Sequence, residues 1–127
     1  MRYQDVMNGP DYAAWVERYV RAWRSNDPDE IGALFSDDAT YSPTAYAEPW
    51  QGREDIVAEW LVRKDEPGEW SFRYEVMGAI GDVGFVRGVT DYPTDEEVYQ
   101  NLWEITLDSS GRCTRFVEWW MMKRKRK

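Results

Sequence analysis

Two hydrophobic periods, in a fixed order along the chain, limit most strongly what it can fold into. Apolar side chains at Tyr12, Trp15, Val16, Tyr19, Val20 and Trp23 recur with the spacing of one face of an α-helix. From Trp70 onward the period falls to two. Trp70, Phe72, Tyr74 and Val76 alternate with Ser71, Arg73 and Glu75, as on a strand with one side buried. Further strand-like runs cover 83–92, 98–107 and 112–122. They are separated by Gly81-Asp82, by Pro93-Thr94-Asp95 and by Asp108-Ser109-Ser110-Gly111, and the last of these reads as a hairpin turn. Helices first and a run of antiparallel strands afterwards predict the α+β class. With 127 residues, one domain spanning 1–127 is expected.

The segments between fill in the order. Asn8-Gly9-Pro10-Asp11 opens the long helix with a proline in its first turn. Asp27 is placed to cap a second, short helix, with Glu30 three residues on as in a capping box and Ile31, Leu34 and Phe35 facing inward. A short extended piece follows at 37–41, and Pro43 and Pro49 keep the next stretch irregular. Gly52 precedes a third helix with Ile56, Val57, Trp60 and Leu61 on one face, and Asp65-Glu66-Pro67-Gly68 is a loop.

Composition narrows the chemistry. There is no histidine, which removes Ser-His-Asp and Cys-His nucleophile pairs and histidine-ligated metals, so no metal or cofactor is expected. Proton transfer must then use carboxylates, tyrosine or lysine. Aromatic residues make up 16% of the chain, enough for a thick core, an aromatic-lined cavity, or both. The net charge is −8, and five of the 16 basic residues are the tail at 123–127. An acidic body argues against a nucleic-acid partner, and the tail reads as a solvated end that follows the last strand near Met122. No apolar run is long enough to cross a membrane, and no signal-peptide core follows Met1-Arg2-Tyr3-Gln4-Asp5. A single cysteine, Cys113 in a strand-like run, fits a reducing compartment, and a cytoplasmic protein is expected.

Val16-Glu17-Arg18-Tyr19-Val20, Asn26-Asp27-Pro28-Asp29 and 33–40 (Ala33-Leu34-Phe35-Ser36-Asp37-Asp38-Ala39-Thr40) form one motif set. Glu48-Pro49 with Gly52-Arg53-Glu54-Asp55-Ile56, and Phe116-Val117-Glu118-Trp119-Trp120 after Gly111, complete it. Together they resemble the nuclear transport factor 2-like superfamily, in particular its SnoaL-like and steroid Δ-isomerase-like members. The resemblance implies a cone-shaped fold, with a curved antiparallel sheet wrapped around the N-terminal helices and an internal cavity. The superfamily hosts isomerases, cyclases, hydrolases and non-catalytic modules, so the likeness specifies fold more than chemistry.

Residue by residue, Tyr19 matches the oxyanion-binding tyrosine of the steroid isomerases. Asn101 stands where they carry a protonated aspartate, and a two-donor pair of Tyr19 and Asn101 follows. Their base aspartate falls at Ser42 or Pro43, neither of which can take a carbon-bound proton. Against limonene epoxide hydrolase, Tyr41 matches the tyrosine, Asp91 one aspartate and Glu118 the place of the other. Pro43 replaces the asparagine and Val89 the arginine. Arg87, Val89 and Asp91 share one strand face, so an Arg87–Asp91 pair can substitute.

Phe116, Glu118, Trp120 and Met122 share another face, which sets a carboxylate among aromatics; turned inward, Glu118 is expected to have a raised pKa. Glu118 and Asp91 are thus the candidate catalytic pair. Tyr19, Asn101, Tyr41, Arg87, Trp103, Phe116 and Trp120 are the candidate ligand-binding set. The function expected is a small-molecule pocket using carboxylate acid–base chemistry, of isomerase or hydrolase type, on an apolar cyclic substrate; the alternative is a binding or association domain without catalysis. Val117, Trp119 and Met121 point the other way, and a homodimer through that convex face is expected.

Overall fold

The computed structural model describes residues 10–124, so Met1–Asp5 of the expected N-terminus, Asn8 and Gly9 of the helix start, and tail residues Lys125, Arg126 and Lys127 lie outside it. Helix α1 (Tyr12–Ser25) starts at Asp11, whose side chain accepts from the Ala14 amide at 2.9 Å. It buries Tyr12, Trp15, Val16, Tyr19, Val20 and Ala22, the face given by its period, with Trp23 half-buried beside it. It ends at Asn26, held at φ 52° in the left-handed region, where asparagine is better tolerated than most residues.

Helix α2 (Pro28–Gly32) is capped by Asp27, which accepts from the Asp29 amide at 2.8 Å. The reciprocal bond from Glu30 does not close a capping box. Ser25 stands between, its hydroxyl donating to Glu30 and accepting from the Asp27 amide. Ile31, Leu34 and Phe35 are all buried, yet Phe35 already belongs to strand β1 (Phe35–Ser42). Strand β2 (Trp50–Gln51) and helix α3 (Arg53–Val62) follow.

The long strands are β3 (Ser71–Ile80), β4 (Val83–Tyr92), β5 (Glu97–Leu107) and β6 (Cys113–Arg124). One six-stranded sheet results, in the order β2-β1-β6-β5-β4-β3. All its pairs are antiparallel except β1 with β6, which run parallel. The sheet is therefore mixed and not wholly antiparallel, because the chain passes through β2, α3 and the strands β3 to β5 after β1 and returns in β6 running in the direction of β1. The last strand also runs further than expected. Lys123 and Arg124 still pair with Val98 and Glu97, and Arg124 makes an ion pair with Glu97 at 3.0 Å, so part of the basic tail is strand.

The helices cover the inner face of this sheet. Trp15, Phe35, Phe116, Ile105 and Cys113 are fully enclosed, each large apolar side chain among them contributing roughly 1.5–3 kcal/mol. Gly84 sets how closely α1 approaches: a Cβ there would lie 2.4 Å from the Tyr12 ring, so glycine is required by packing. Trp15 spans the layers, its Nε1 donating to the Leu34 carbonyl at 3.0 Å.

Candidate active site

Toward its β5–β6 end the inner sheet face is not filled. A cavity of about 340 Å³ remains, at the lower end of the range for small-molecule sites. Helix α1 supplies Tyr19 and Trp23 to its wall, β1 supplies Tyr41, α3 supplies Trp60, and the loop after α3 supplies Lys64 and Asp65. The sheet supplies Thr90, Tyr92, Tyr99, Asn101, Trp103, Glu118 and Trp120. The lining is thus largely aromatic, with two carboxylates among the rings.

Glu118 is held on both oxygens. Trp103 Nε1 donates to Oε1 at 2.9 Å and Asn101 Nδ2 donates to Oε2 at 2.9 Å. Thr90 Oγ1 donates to Asn101 Oδ1 at 2.8 Å, which fixes the amide with its NH₂ toward the carboxylate. Burial raises the Glu118 pKa from its ordinary 4.5 to about 7, against the lowering effect of the two donors. Indole N–H and amide N–H cannot accept a proton. When Glu118 is protonated, its O–H must therefore point elsewhere, and the cavity is where acceptors can reach it.

The same cavity wall carries a pair of phenols. Tyr19 and Tyr41 are both buried and their hydroxyls are 2.7 Å apart. Such a dyad has two O–H protons and uses one internally, leaving one for an acceptor in the cavity. Burial is the main cause that pushes both pKa values up, and the Glu118 charge adds to it, so both stay donors at neutral pH.

The second carboxylate is Asp65. Trp23 Nε1 donates to its Oδ2 at 3.1 Å and the Tyr92 hydroxyl to the same oxygen at 2.8 Å. Burial and the Asp65 bond raise the Tyr92 pKa. Sequence reasoning passed over Asp65, because Asp-Glu-Pro-Gly reads as a turn and no local pattern marks a turn residue as facing a cavity.

The residues singled out from sequence fall into three groups. Tyr19, Tyr41, Asn101, Trp103, Glu118 and Trp120 line the cavity together. Phe116 does not line it: it is fully enclosed beneath, stacked on Tyr19 and Tyr41. Arg87 and Asp91 are turned away. Thr90 and Tyr92 of β4 take the cavity side, so alternation puts Arg87, Val89 and Asp91 on the convex side. There Arg87 is exposed and paired with Glu75. The expectation that Asp91 and Arg87 share the cavity with Glu118 is thus corrected, and Glu118 is held by Asn101 and Trp103 instead of Arg87 or the tyrosines. Tyr19 and Asn101 both face the cavity, Asn101 with one N–H donated to Glu118 and Tyr19 hydrogen-bonded to Tyr41.

A family model of the SnoaL-like domain matches residues 16–120. Among solved structures, the chain is similar to SalBIII, an epoxide hydrolase/cyclase-like enzyme of pyran ring formation in salinomycin. The TM-score is 0.71 at 17% identity, over 88% of this chain and 94% of that one. It is similar to a ketosteroid isomerase candidate from Kribbella flavida, with a TM-score of 0.65 at 20% identity over 85% and 76%. It is also similar to an LEH-like epoxide hydrolase of M. tuberculosis, with a TM-score of 0.61 at 17% identity over 85% and 80%. At such identities the likeness is one of fold, the cone-shaped α+β arrangement.

Proposed function

This chain belongs to the SnoaL-like domain family, and we propose that its cavity binds a small, apolar, cyclic molecule on which Glu118 moves a proton. One observation carries this: a carboxyl at the cavity wall with a pKa of about 7, held by donor-only neighbours. A histidine-free site needs such a group for acid–base work near neutrality. As carboxylate, Glu118 takes a proton from carbon next to a ring carbonyl, and the free hydroxyl of the Tyr19–Tyr41 dyad donates to the oxygen where negative charge develops. As acid, it gives its proton to an epoxide or ether oxygen as the C–O bond breaks, while a water molecule from solvent adds to the carbon and releases a proton that restores the acid. Both are isomerase or hydrolase chemistry of the kind found among the fold's relatives.

The competing reading is a binding module without turnover. The position of the steroid-isomerase base favours it, because it falls at Ser42 or Pro43, neither of which can take a carbon-bound proton, and Pro43 lines the cavity. Two reactions separate the readings: deuterium exchange at C2 of 1-tetralone, followed by NMR, and hydrolysis of indene oxide. The wild type is expected to accelerate at least one, and Glu118→Gln to abolish it while still binding 1-tetralone. Binding without acceleration of either reaction, or an equally active Glu118→Gln, leaves the binding-module reading.

The exposed Trp119, Met121 and Leu102 on the convex face support a homodimer through that face. The single buried Cys113 supports a cytoplasmic setting.

A further inference from the structure

We infer that Asp65 is a second binding group of this cavity, and that the ligand is two-ended, carrying a hydrogen-bond donor for Asp65 at the end away from Glu118. This rests on the reading of the cavity as a small-molecule site.

The geometry argues for it in three steps. First, Asp65 lines the cavity with one carboxylate oxygen unused by the described residues. Both protein donors to its carboxylate, Trp23 Nε1 and the Tyr92 hydroxyl, go to Oδ2. No donor to Oδ1 is present among the described residues, although an ionised carboxylate offers about four acceptor sites. Second, its loop is already pinned without the carboxylate. Asn26 Nδ2 donates to the Asp65 main-chain carbonyl at 2.8 Å, and Trp60 Nε1 donates to Asn26 Oδ1 at 3.1 Å. A tether alone has no use for a negative charge. Third, the neighbouring cations make their ion pairs with other carboxylates and not with Asp65. Arg63 pairs with Glu59 and lies over the Trp50 ring, and Lys64 is 3.8 Å from Glu66. A half-buried carboxylate on a cavity wall, with only neutral partners on one oxygen, gains from a ligand donor on the other.

Asp65 and Glu118 are joined by one polar row on the sheet. Glu118 receives Asn101, Asn101 receives Thr90, and two residues further along β4 Tyr92 donates to Asp65. The ligand's acceptor end belongs at Glu118 and the tyrosine dyad. Its donor end, a hydroxyl or a protonated amine, belongs at Asp65.

Three matched probes test this: 1-tetralone, 6-hydroxy-1-tetralone and 6-(aminomethyl)-1-tetralone, with binding read by quenching of the cavity tryptophans and by calorimetry. The wild type is expected to bind at least one donor-bearing probe about tenfold more tightly than 1-tetralone, the advantage of a charge-assisted hydrogen bond. Asp65→Asn keeps an acceptor for Trp23 and Tyr92 but loses the charge. It is expected to erase the amine's advantage, reduce the hydroxyl's, and leave 1-tetralone unchanged. If the hydroxyl probe alone gains, the donor is a hydroxyl; if the amine alone gains, it is a cation. Equal wild-type affinity for all three probes, or an unchanged ratio in Asp65→Asn, overturns the role of Asp65 and leaves the cavity reading standing. No saturable binding of any probe overturns both. The wild-type comparison needs no variant, so it holds even if Asp65→Asn folds poorly.

Discussion

Trp103 and Glu118 face each other directly across the β5–β6 ladder, and the indole N–H of the first donates to the carboxylate of the second at 2.9 Å. Cross-strand register thus fixes which donor meets the carboxylate, and the donor cannot turn away because Trp103 is enclosed by the Tyr19, Phe72 and Phe116 rings. A rigid donor of this kind favours the charged form. Trp103→Phe keeps most of the ring packing and removes the N–H. The Glu118 pKa is then expected to rise above about 7 by roughly one further unit, the worth of a hydrogen bond to a charged group. Carbon-13 titration of the glutamate carboxyls checks it; an unchanged or lower value means that burial alone sets the shift.

The raised pKa also makes stability depend on pH. Glu118 binds its proton more tightly folded, with a pKa of about 7, than at its ordinary 4.5. Between those values the folded state holds more protons than the unfolded one, so stability from this group falls as pH rises through the window. The loss approaches about 3 kcal/mol, at 1.36 kcal/mol per unit. Glu118→Gln is expected to remove this slope between pH 4.5 and 7. The slope is the readout, not absolute stability, because a glutamine NH₂ must face one of two donors, Asn101 or Trp103, at a cost of about 1–3 kcal/mol. Denaturant unfolding at several pH values measures it, and equal slopes in both proteins count against a buried, titrating Glu118.

Local periods made the helices and the long strands legible, but three features lay beyond them. The parallel β1–β6 pairing joins Phe35 to Cys113, and no local pattern encodes a partner so distant in sequence. The sidedness of β4 was equally hidden. Period two shows that Arg87, Val89 and Asp91 share a face but not which face the helices cover. The inner side of β4 carries Gly84 and Gly88, kept small by the Tyr12 and Phe72 rings, so it looks no more apolar than the outer one. On β6, by contrast, the carboxylate between Phe116 and Trp120 was informative, since few surface strands set a glutamate in such a row. Asp65 had no signal at all, because its role comes from loop placement.

The Tyr19–Tyr41 contact is expected to act as one unit. Phenylalanine at either position deletes the same 2.7 Å hydrogen bond, so the stability losses of the two single variants should exceed that of the double variant when summed. A coupling of about 0.5–3 kcal/mol is ordinary for contacting residues. In the tetralone exchange assay the double variant should lose about 10²-fold or more in rate, the usual cost of removing an oxyanion donor. Additive stability losses, or full exchange activity without both hydroxyls, would show that the dyad only fills space.

The convex face gives the last expectation, with a correction to its outline. Val117 is buried, because β6 is flanked there by both Ser42 of β1 and Glu104 of β5. Beyond that point the pairing of β1 with β6 has ended, and Trp119 and Met121 stand exposed beside Leu102. Trp119 is already oriented, its Nε1 donating to Glu104 at 2.7 Å, so its ring is presented at little entropic cost to a partner. A second copy offers the same patch by two-fold symmetry. Sedimentation equilibrium of the wild type at tens of micromolar, the range of a weak interface, is expected to show a dimer. Met121→Lys is expected to shift it toward monomer while leaving the fold and the cavity intact, since the Met121 side chain is exposed and does not line the cavity. A monomeric wild type at that concentration, or a Met121→Lys dimer of undiminished affinity, means that copies of this chain do not meet through this face.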